Sequence, residues 1–258
     1  MEYWKKIEQN IYSELAWNIP ESKQGSVSVI GGNSQSFNTA VRISEQLSNK
    51  FSIKNVKTIL PDALQTQLPA IDNFVFLPST DSGSFANSAI LPEVFNQVDF
   101  NLVIGDLSKN SITEKAISSA CASAEKPTML TRDSVDLVCA ESPEQLLMNP
   151  NIIIFCSVVQ LQKLFRSVFY PKVILLSQPL MQIVEAIHKF TLSYPAKIIT
   201  FHDGQILVAE NGQVNIIPLE KTGHSPLTLW TGTLAAKIIT YNLFNPNIFL
   251  KATTSAIF

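Results

Sequence analysis

Val27-Ser28-Val29-Ile30-Gly31-Gly32-Asn33 reads as a short buried strand that breaks on two glycines. A helix pattern follows through Thr39-Ala40-Val41-Arg42-Ile43-Ser44-Glu45-Gln46-Leu47. A strand, a Gly-rich turn and a helix in that order place backbone N–H groups at a helix N-terminus, where phosphate or carboxylate can bind. The stretch therefore predicts an α/β ligand-binding domain. A Rossmann dinucleotide site is the poorer fit, because no third glycine follows at the required spacing. Gly31, Gly32 and Asn33 are candidate ligand-binding residues. The competing reading is the tight turn that any strand–helix junction needs.

Strand and helix patterns alternate along most of the chain. Apolar strand candidates are Val27–Ile30, Val56–Leu60, Phe74–Leu77, Leu102–Ile104, Thr128–Leu130, Ile152–Phe155 and Val173–Leu176. Helix candidates are Thr39–Ser48, Ile90–Asn96, Thr113–Ala124, Pro143–Leu147, Val159–Ser167 and Leu180–Leu192. Buried, β-branched strands alternating with helices predict a mostly parallel sheet covered on both faces. The C-terminal third differs, with short strands at Lys197–Thr200, Gln205–Ala209 and Val214–Pro218. Asn211-Gly212 between the last two signals an antiparallel hairpin. A Thr/Gly/Ser/Pro loop, Thr222–Thr228, then leads to a helix from about Thr233 to Leu243. Residues 1–24 read as an amphipathic N-terminal helix and connector, and 25–258 as one domain.

The chain has 258 residues, 46% hydrophobic and 16% charged, which predicts a sizeable core rather than disorder. A net charge of −2 without a basic block gives no footprint for nucleic acid. No apolar run is long enough to span a bilayer, and Met1-Glu2-Tyr3-Trp4-Lys5-Lys6 lacks the apolar stretch of a signal peptide, so a cytoplasmic protein is expected. Cys121, Cys139 and Cys156 match no metal or redox spacing; Cys121 and Cys156 read as small core residues.

The order of motifs resembles that of the ribokinase-like NAD(P)H-hydrate dehydratases. Lys23 to Asn33 is similar to that family's opening, whose first strand ends in Ile-Gly-Gly-Ser. Leu102-Val103-Ile104-Gly105-Asp106-Leu107 falls where the family has a strand followed by Gly-Pro-Gly-Leu-Gly, keeping only the first glycine. Pro127 to Asp136 falls on Val-Leu-Asp-Ala-Asp-Ala-Leu, with an Asp kept at Asp133 and the earlier one replaced by Thr131 or Arg132. Ile154 to Gln160 falls on Thr-Pro-His-Pro-Gly-Glu, with Gln160 in place of the Glu. Lys197–Leu207 matches the strand pair that holds the family's Lys-Gly, and shows Phe201-His202 there. Trp230-Thr231-Gly232-Thr233-Leu234-Ala235-Ala236-Lys237-Ile238-Ile239 aligns without gaps on Gly-Thr-Gly-Asp-Val-Leu-Ala-Gly-Ile-Ile.

The resemblance implies a ribokinase-like three-layer α/β sandwich, with a mostly parallel central sheet and a C-terminal antiparallel hairpin. It also implies ADP or ATP, with Mg2+, as the accompanying nucleotide. In the family the Gly-Thr-Gly-Asp amides form an anion hole and the Asp is the catalytic base. Here that Asp is Thr233, the first glycine is Trp230 and the helix glycine is Lys237. A neutral hydroxyl cannot take a proton as a carboxylate does, and general-base catalysis is typically worth ~10²–10⁴ in rate. Thr231, Gly232 and Thr233 can still present amides at a helix start. The expected protein keeps an anion site without the chemistry.

Other polar positions carry two readings each. Thr80-Asp81-Ser82-Gly83-Ser84-Phe85 is a strand-end ligand loop or a plain surface loop with Asx-type turns. After Leu102–Ile104, Gly105, Asp106 and Asn110 are candidate ligand contacts. Capping accounts for Asn110 or Ser111 as N-cap with Glu114 closing a capping box, and leaves Asp106 unexplained. Asp133 contacts ligand or caps the short helix that follows; with Asp136 it has the spacing of an acid/base pair. Among the histidines, His224 sits in the loop before the anion hole and is the one placed to meet a ligand, while His188 lies on an amphipathic helix, exposed or at a core edge, and His202 precedes the Asp203-Gly204 turn. No His/Asp/Glu cluster has metal-ligand spacing.

Three functions follow from these residues. The first is a divergent dehydratase-like protein that binds a nucleotide or similar phosphate ligand with catalysis lost. The second is an active small-molecule kinase or dehydratase with Asp106 and Asp133 as catalytic candidates. The third is a non-enzymatic structural or partner-binding protein, whose tail Tyr241–Phe258 and Tyr3-Trp4 make a homo-oligomer interface unless they cover the core.

Overall fold

In the computed structural model, residues 2–69, 71–86, 89–140, 143–225 and 227–258 are described. Among the described residues ten strands form one sheet: β1 (Trp4–Lys6), β2 (Gln24–Gly31), β3 (Ile53–Pro61), β4 (Phe74–Leu77), β5 (Phe100–Gly105), β6 (Thr128–Thr131), β7 (Ile152–Ser157), β8 (Lys197–His202), β9 (Gln205–Glu210) and β10 (Gln213–Pro218). The helices among the described residues are α1 (Asn38–Lys50), α2 (Ile90–Asn96), α3 (Ser111–Ala122), α4 (Asp133–Val138), α5 (Pro143–Leu147), α6 (Val158–Ser167), α7 (Leu180–Ser193), α8 (Thr228–Thr231), α9 (Thr233–Phe244) and α10 (Phe249–Ile257).

Strand order is β1-β10-β9-β8-β7-β6-β5-β2-β3-β4. All pairings from β4 to β8 are parallel, and β8-β9-β10 is an antiparallel meander. Two left-handed dipeptides make its turns, Asp203-Gly204 and Asn211-Gly212, as the right-handed strand twist favours. From β2 the chain winds outward through β3 and β4, then returns to lay β5 against the other side of β2. That reversal makes the carboxyl ends of β2 and β5 a topological switch point, where open α/β sheets hold ligands.

Strand side chains alternate between the two faces, as a doubly covered sheet requires. On one face Val27, Val29, Leu102, Ile104, Ile153 and Phe155 pack against α1, α9 and α10. On the other, Ile30, Val103, Ile152, Ile154 and Cys156 pack against α2 to α7. The α/β sandwich and its antiparallel hairpin are therefore as the sequence predicts. The tail α10 lies inside this core: Ala252, Ala256 and Ile257 are fully buried.

Two element predictions are corrected. The N-terminal amphipathic helix is absent. Trp4–Lys6 pairs in parallel with Val214–Ile216, and Ser13–Asn18 forms a 3-10 helix instead. The open edge of β10 supplies hydrogen bonds that a short isolated helix cannot match. Val173–Leu176 is irregular rather than a strand. Only Ile174 is buried, and Gln162 Nε2 donates to its carbonyl at 2.6 Å. Three of its four residues are exposed, so the segment has no face to pair. In the predicted loop Thr222–Thr228, Pro226 lies outside the described residues, and Thr228 already begins α8.

Gly31 is fixed by closeness rather than by φ. A Cβ there would drive into the Gly105 carbonyl oxygen and reach Ile104 Cγ2 at 2.9 Å. Backbone cannot rotate aside, so Gly31→Ala is expected to lose about 2–4 kcal/mol in urea denaturation. Gly223→Ala, with φ 70° but nothing within 4 Å, is expected to lose only about 1–2 kcal/mol.

Candidate functional site

The candidate site is the crevice at the carboxyl ends of β2, β5, β6 and β7. The β2–β5 register shifts between Ile30 and Gly31, and the Gly32 amide donates to the Gly105 carbonyl at 3.0 Å. Gly32 and Gly105 both have positive φ, 98° and 95°. A side chain on Gly105 would collide with the Asp133 carboxylate, so a glycine is required there.

That carboxylate is occupied. Asp133 Oδ1 accepts from the Asp106 amide at 2.9 Å and Oδ2 from the Leu107 amide at 3.1 Å. It holds the turn after β5 rather than capping its own helix, whose N-cap position is Arg132. Asp106, with φ 58°, pairs with Arg132, with φ 59°, at 2.8 Å. The two side chains are only 12% and 15% exposed. Asp106 Oδ2 and Arg132 Nε are both buried and lack a hydrogen-bond partner. Arg132 Nη1 also donates to the Ile104 carbonyl at 3.3 Å.

The neighbouring polar groups knit loops together. Asn33 Nδ2 donates to the Asp106 carbonyl at 2.6 Å, while its Oδ1 accepts from the Gln35 and Ser36 amides. Asn110 is the N-cap of α3, accepting from the Thr113 amide at 2.9 Å, and its Nδ2 reaches Ser82 in the Thr80–Phe85 loop at 3.1 Å. Of the two expected N-caps it is Asn110 that forms, and Glu114 closes no capping box with it. One forms instead at Ser157 and Gln160, where β7 passes into α6. Gln160 Nε2 also donates to the Arg132 carbonyl at 2.6 Å and to Asp136 Oδ2 at 2.8 Å. Asp136 is further paired with Lys163 at 2.5 Å. Asp133 and Asp136 thus serve different partners and are not an acid/base pair. Arg132, Ser157, Gln160 and the half-exposed Trp230 surround a hollow of about 10 Å³, which is room for about one water.

Across the crevice, Gly232 turns with φ 76° between α8 and α9, and its missing side chain lets Ile104 Cδ1 come within 2.8 Å of where a Cβ would stand. Thr233 is the first residue of α9; its N-cap, Gly232, brings no side chain, and the Thr233 amide donates to Thr231 Oγ1 at 3.4 Å. The Arg42 guanidinium donates to the Thr231 carbonyl, pinning the segment to α1. His224 lies apart from the ion pair, half-buried near Lys237 and Ile257. Burial, and then the Lys237 charge, push its pKa below the ordinary imidazole value, so it is neutral at pH 7. His188 stacks on Tyr3, and His202 Nε2 sits 2.8 Å from the Gln178 carbonyl, so both are structural. Burial pushes the Cys121 and Cys156 thiols far up, leaving no thiolate nucleophile. Among the described residues, no three His, Cys, Asp or Glu side chains are grouped to hold a metal ion. No described helix is long and apolar enough to cross a membrane.

The structure thus brings Gly31, Gly32, Asn33, Gly105, Asp106 and Asp133 together, with the loop bearing Asn110 beside them. It adds Arg132 and Gln160, which the sequence shows only as departures from the family pattern. A signal for Arg132 was its place at the end of a strand, directly before a retained Asp.

No protein-family model matches the sequence, and no curated protein matches it. Solved structures do match in shape. A ribokinase-like superfamily protein of Enterococcus faecalis is 15% identical with a TM-score of 0.68, covering 100% of this chain and 86% of its own. A hypothetical protein of Streptococcus mutans is 13% identical with a TM-score of 0.67, covering 97% of this chain and 88% of its own. Pyridoxal kinase of Bacillus subtilis is 11% identical with a TM-score of 0.54, covering 91% and 89%. The fold is ribokinase-like, that of small-molecule kinases.

The Asp106–Arg132 pair sets a stability test. Arg132→Met leaves a mostly buried carboxylate without its counter-charge and is expected to lose about 2–4 kcal/mol in urea denaturation. Asp106→Asn, which tolerates left-handed backbone, should recover part of that loss when combined with Arg132→Met. Simple additivity of the two losses would contradict the pairing.

Proposed function

We propose that this chain is a divergent relative of the NAD(P)H-hydrate dehydratases that binds a nucleotide or another phosphate ligand without dehydratase or kinase turnover. One observation carries the reading. The carboxylates at the crevice are bound to the protein itself: Asp133 to two amides, Asp106 to Arg132, and Asp136 to Lys163 and Gln160. Asp133 has both oxygens taken by amides, Asp106 gives one oxygen to Arg132 and keeps the other buried, and the helix position that bears the family's base is Thr233. Binding is supported by different groups. The start of α9 offers a positive dipole end and the amides that follow Thr233 to phosphate, and its left-handed Gly232 is the conformation a backbone cradle uses. ADP or ATP suits such a cradle, with Mg2+ carried by the phosphates. A solved neighbour, the Bacillus subtilis pyridoxal kinase, is described as an ADP complex.

Thermal denaturation with Mg-ADP or Mg-ATP tests the binding. A ligand at 100 times its Kd adds about 2.7 kcal/mol, so the midpoint should rise with at least one of them. Thr233→Glu places a carboxylate where it favours the helix and repels phosphate, and should abolish the rise while leaving the unliganded protein folded. Incubation with hydrated NADH and either nucleotide should regenerate no NADH. Robust turnover that Thr233→Ala leaves intact would overturn the reading in favour of an active enzyme.

A further inference from the structure

A second pocket lies at the opposite end of the sheet, where β5, β7 and β8 begin. It has a volume of about 300 Å³, within the range of small-molecule sites. Its apolar wall is Phe100, Ile153 and Phe249, which are 1%, 2% and 4% exposed, with Asn151 at its side. Two opposite charges face this space. Lys197 opens β8 and Glu210 closes β9, next to the paired Ile198 and Ala209.

The two charges form a loose ion pair: Lys197 Nζ and Glu210 Oε1 are 3.7 Å apart, longer than a close charge-assisted hydrogen bond, with both side chains about one-fifth exposed. Lys197 donates instead to the Pro150 carbonyl and sits over the Phe249 ring, 5.7 Å from its centroid. The Leu250 amide at the start of α10 faces Glu210 and favours its charged form. Each charge is thus held in place by a different element and keeps bonding capacity toward the pocket. Burial outweighs their mutual attraction, pulling the Lys197 pKa down and the Glu210 pKa up.

The charge pattern selects the ligand class. A net anion would satisfy Lys197 and oppose Glu210, and a net cation would do the reverse. A neutral apolar molecule would remove water from both charges and replace none of it. A molecule carrying both signs on neighbouring atoms, with an apolar body, compensates both and fills the wall. We propose that this pocket binds a free α-amino acid with an apolar side chain, its carboxylate on Lys197, its ammonium on Glu210 and its side chain against Phe249 and Ile153. The site is independent of the crevice and of the phosphate reading.

The test is thermal denaturation against each of the twenty free amino acids at millimolar concentration. At least one aliphatic or aromatic member should raise the midpoint. Its N-acetyl and carboxamide derivatives, each lacking one charge, should not. Calorimetry should then show affinity for that amino acid falling more than tenfold in Lys197→Met and in Glu210→Gln. The double variant Lys197→Met/Glu210→Gln leaves no buried charge unpaired, so it should fold and yet fail to bind. No shift with any amino acid, an equal shift with the derivatives, or undiminished binding in the double variant would overturn the proposal.

Discussion

Backbone contact between the ends of β2 and β5 is the constraint on which the rest of the structure depends. The Gly32 amide reaches the Gly105 carbonyl, and no side chain fits on Gly31 without striking that oxygen. These strands come from opposite arms of the winding, so their closeness fixes where the sheet reverses direction. Asn33, Asp106, Arg132 and Asp133 take their positions from it. A cradle at Gly31-Gly32 is one reading of the sequence; the geometry gives both glycines a packing duty that accounts for them without a ligand.

From that contact the crevice becomes a network of internal bonds. Asp133 closes the turn after β5, Asp106 turns to Arg132, and Gln160 ties β7 to Asp136. Hydrogen bonds to a charged acceptor contribute about 1.5–3 kcal/mol each, more than neutral ones, so such carboxylates are stability devices. Left-handed backbone at both Asp106 and Arg132 adds strain that this network holds in place. A ribokinase-like shape leaves the chemistry at the crevice to be argued from its own residues.

Much of the fold was legible because its signals are local. Alternating apolar residues in Val27–Ile30 and Ile152–Phe155, and the Asn211-Gly212 turn, report strand, face and hairpin without reference to distant residues. The crevice was legible only in location. Asp106 and Asp133 were visible as polar residues at strand ends, but each is defined by a partner about one βα unit away, Asp133 by amides 26 and 27 residues earlier. Arg132 and Gln160 carried no motif. β1 is hidden for the same reason: Trp4–Lys6 is a strand because β10 offers it an edge more than two hundred residues later.

The central claim is that the crevice holds phosphate and moves no proton. Phosphorus NMR of the protein with Mg-ATP and a panel of small alcohols, among them a pyridoxine-type vitamin, reads both halves at once. The account predicts shifted or broadened phosphate resonances, weakened by Thr233→Glu, and no growth of ADP or phosphate-ester signals over days. Steady accumulation of a phosphate ester, lost on Asp106→Asn or Asp133→Asn, would contradict it.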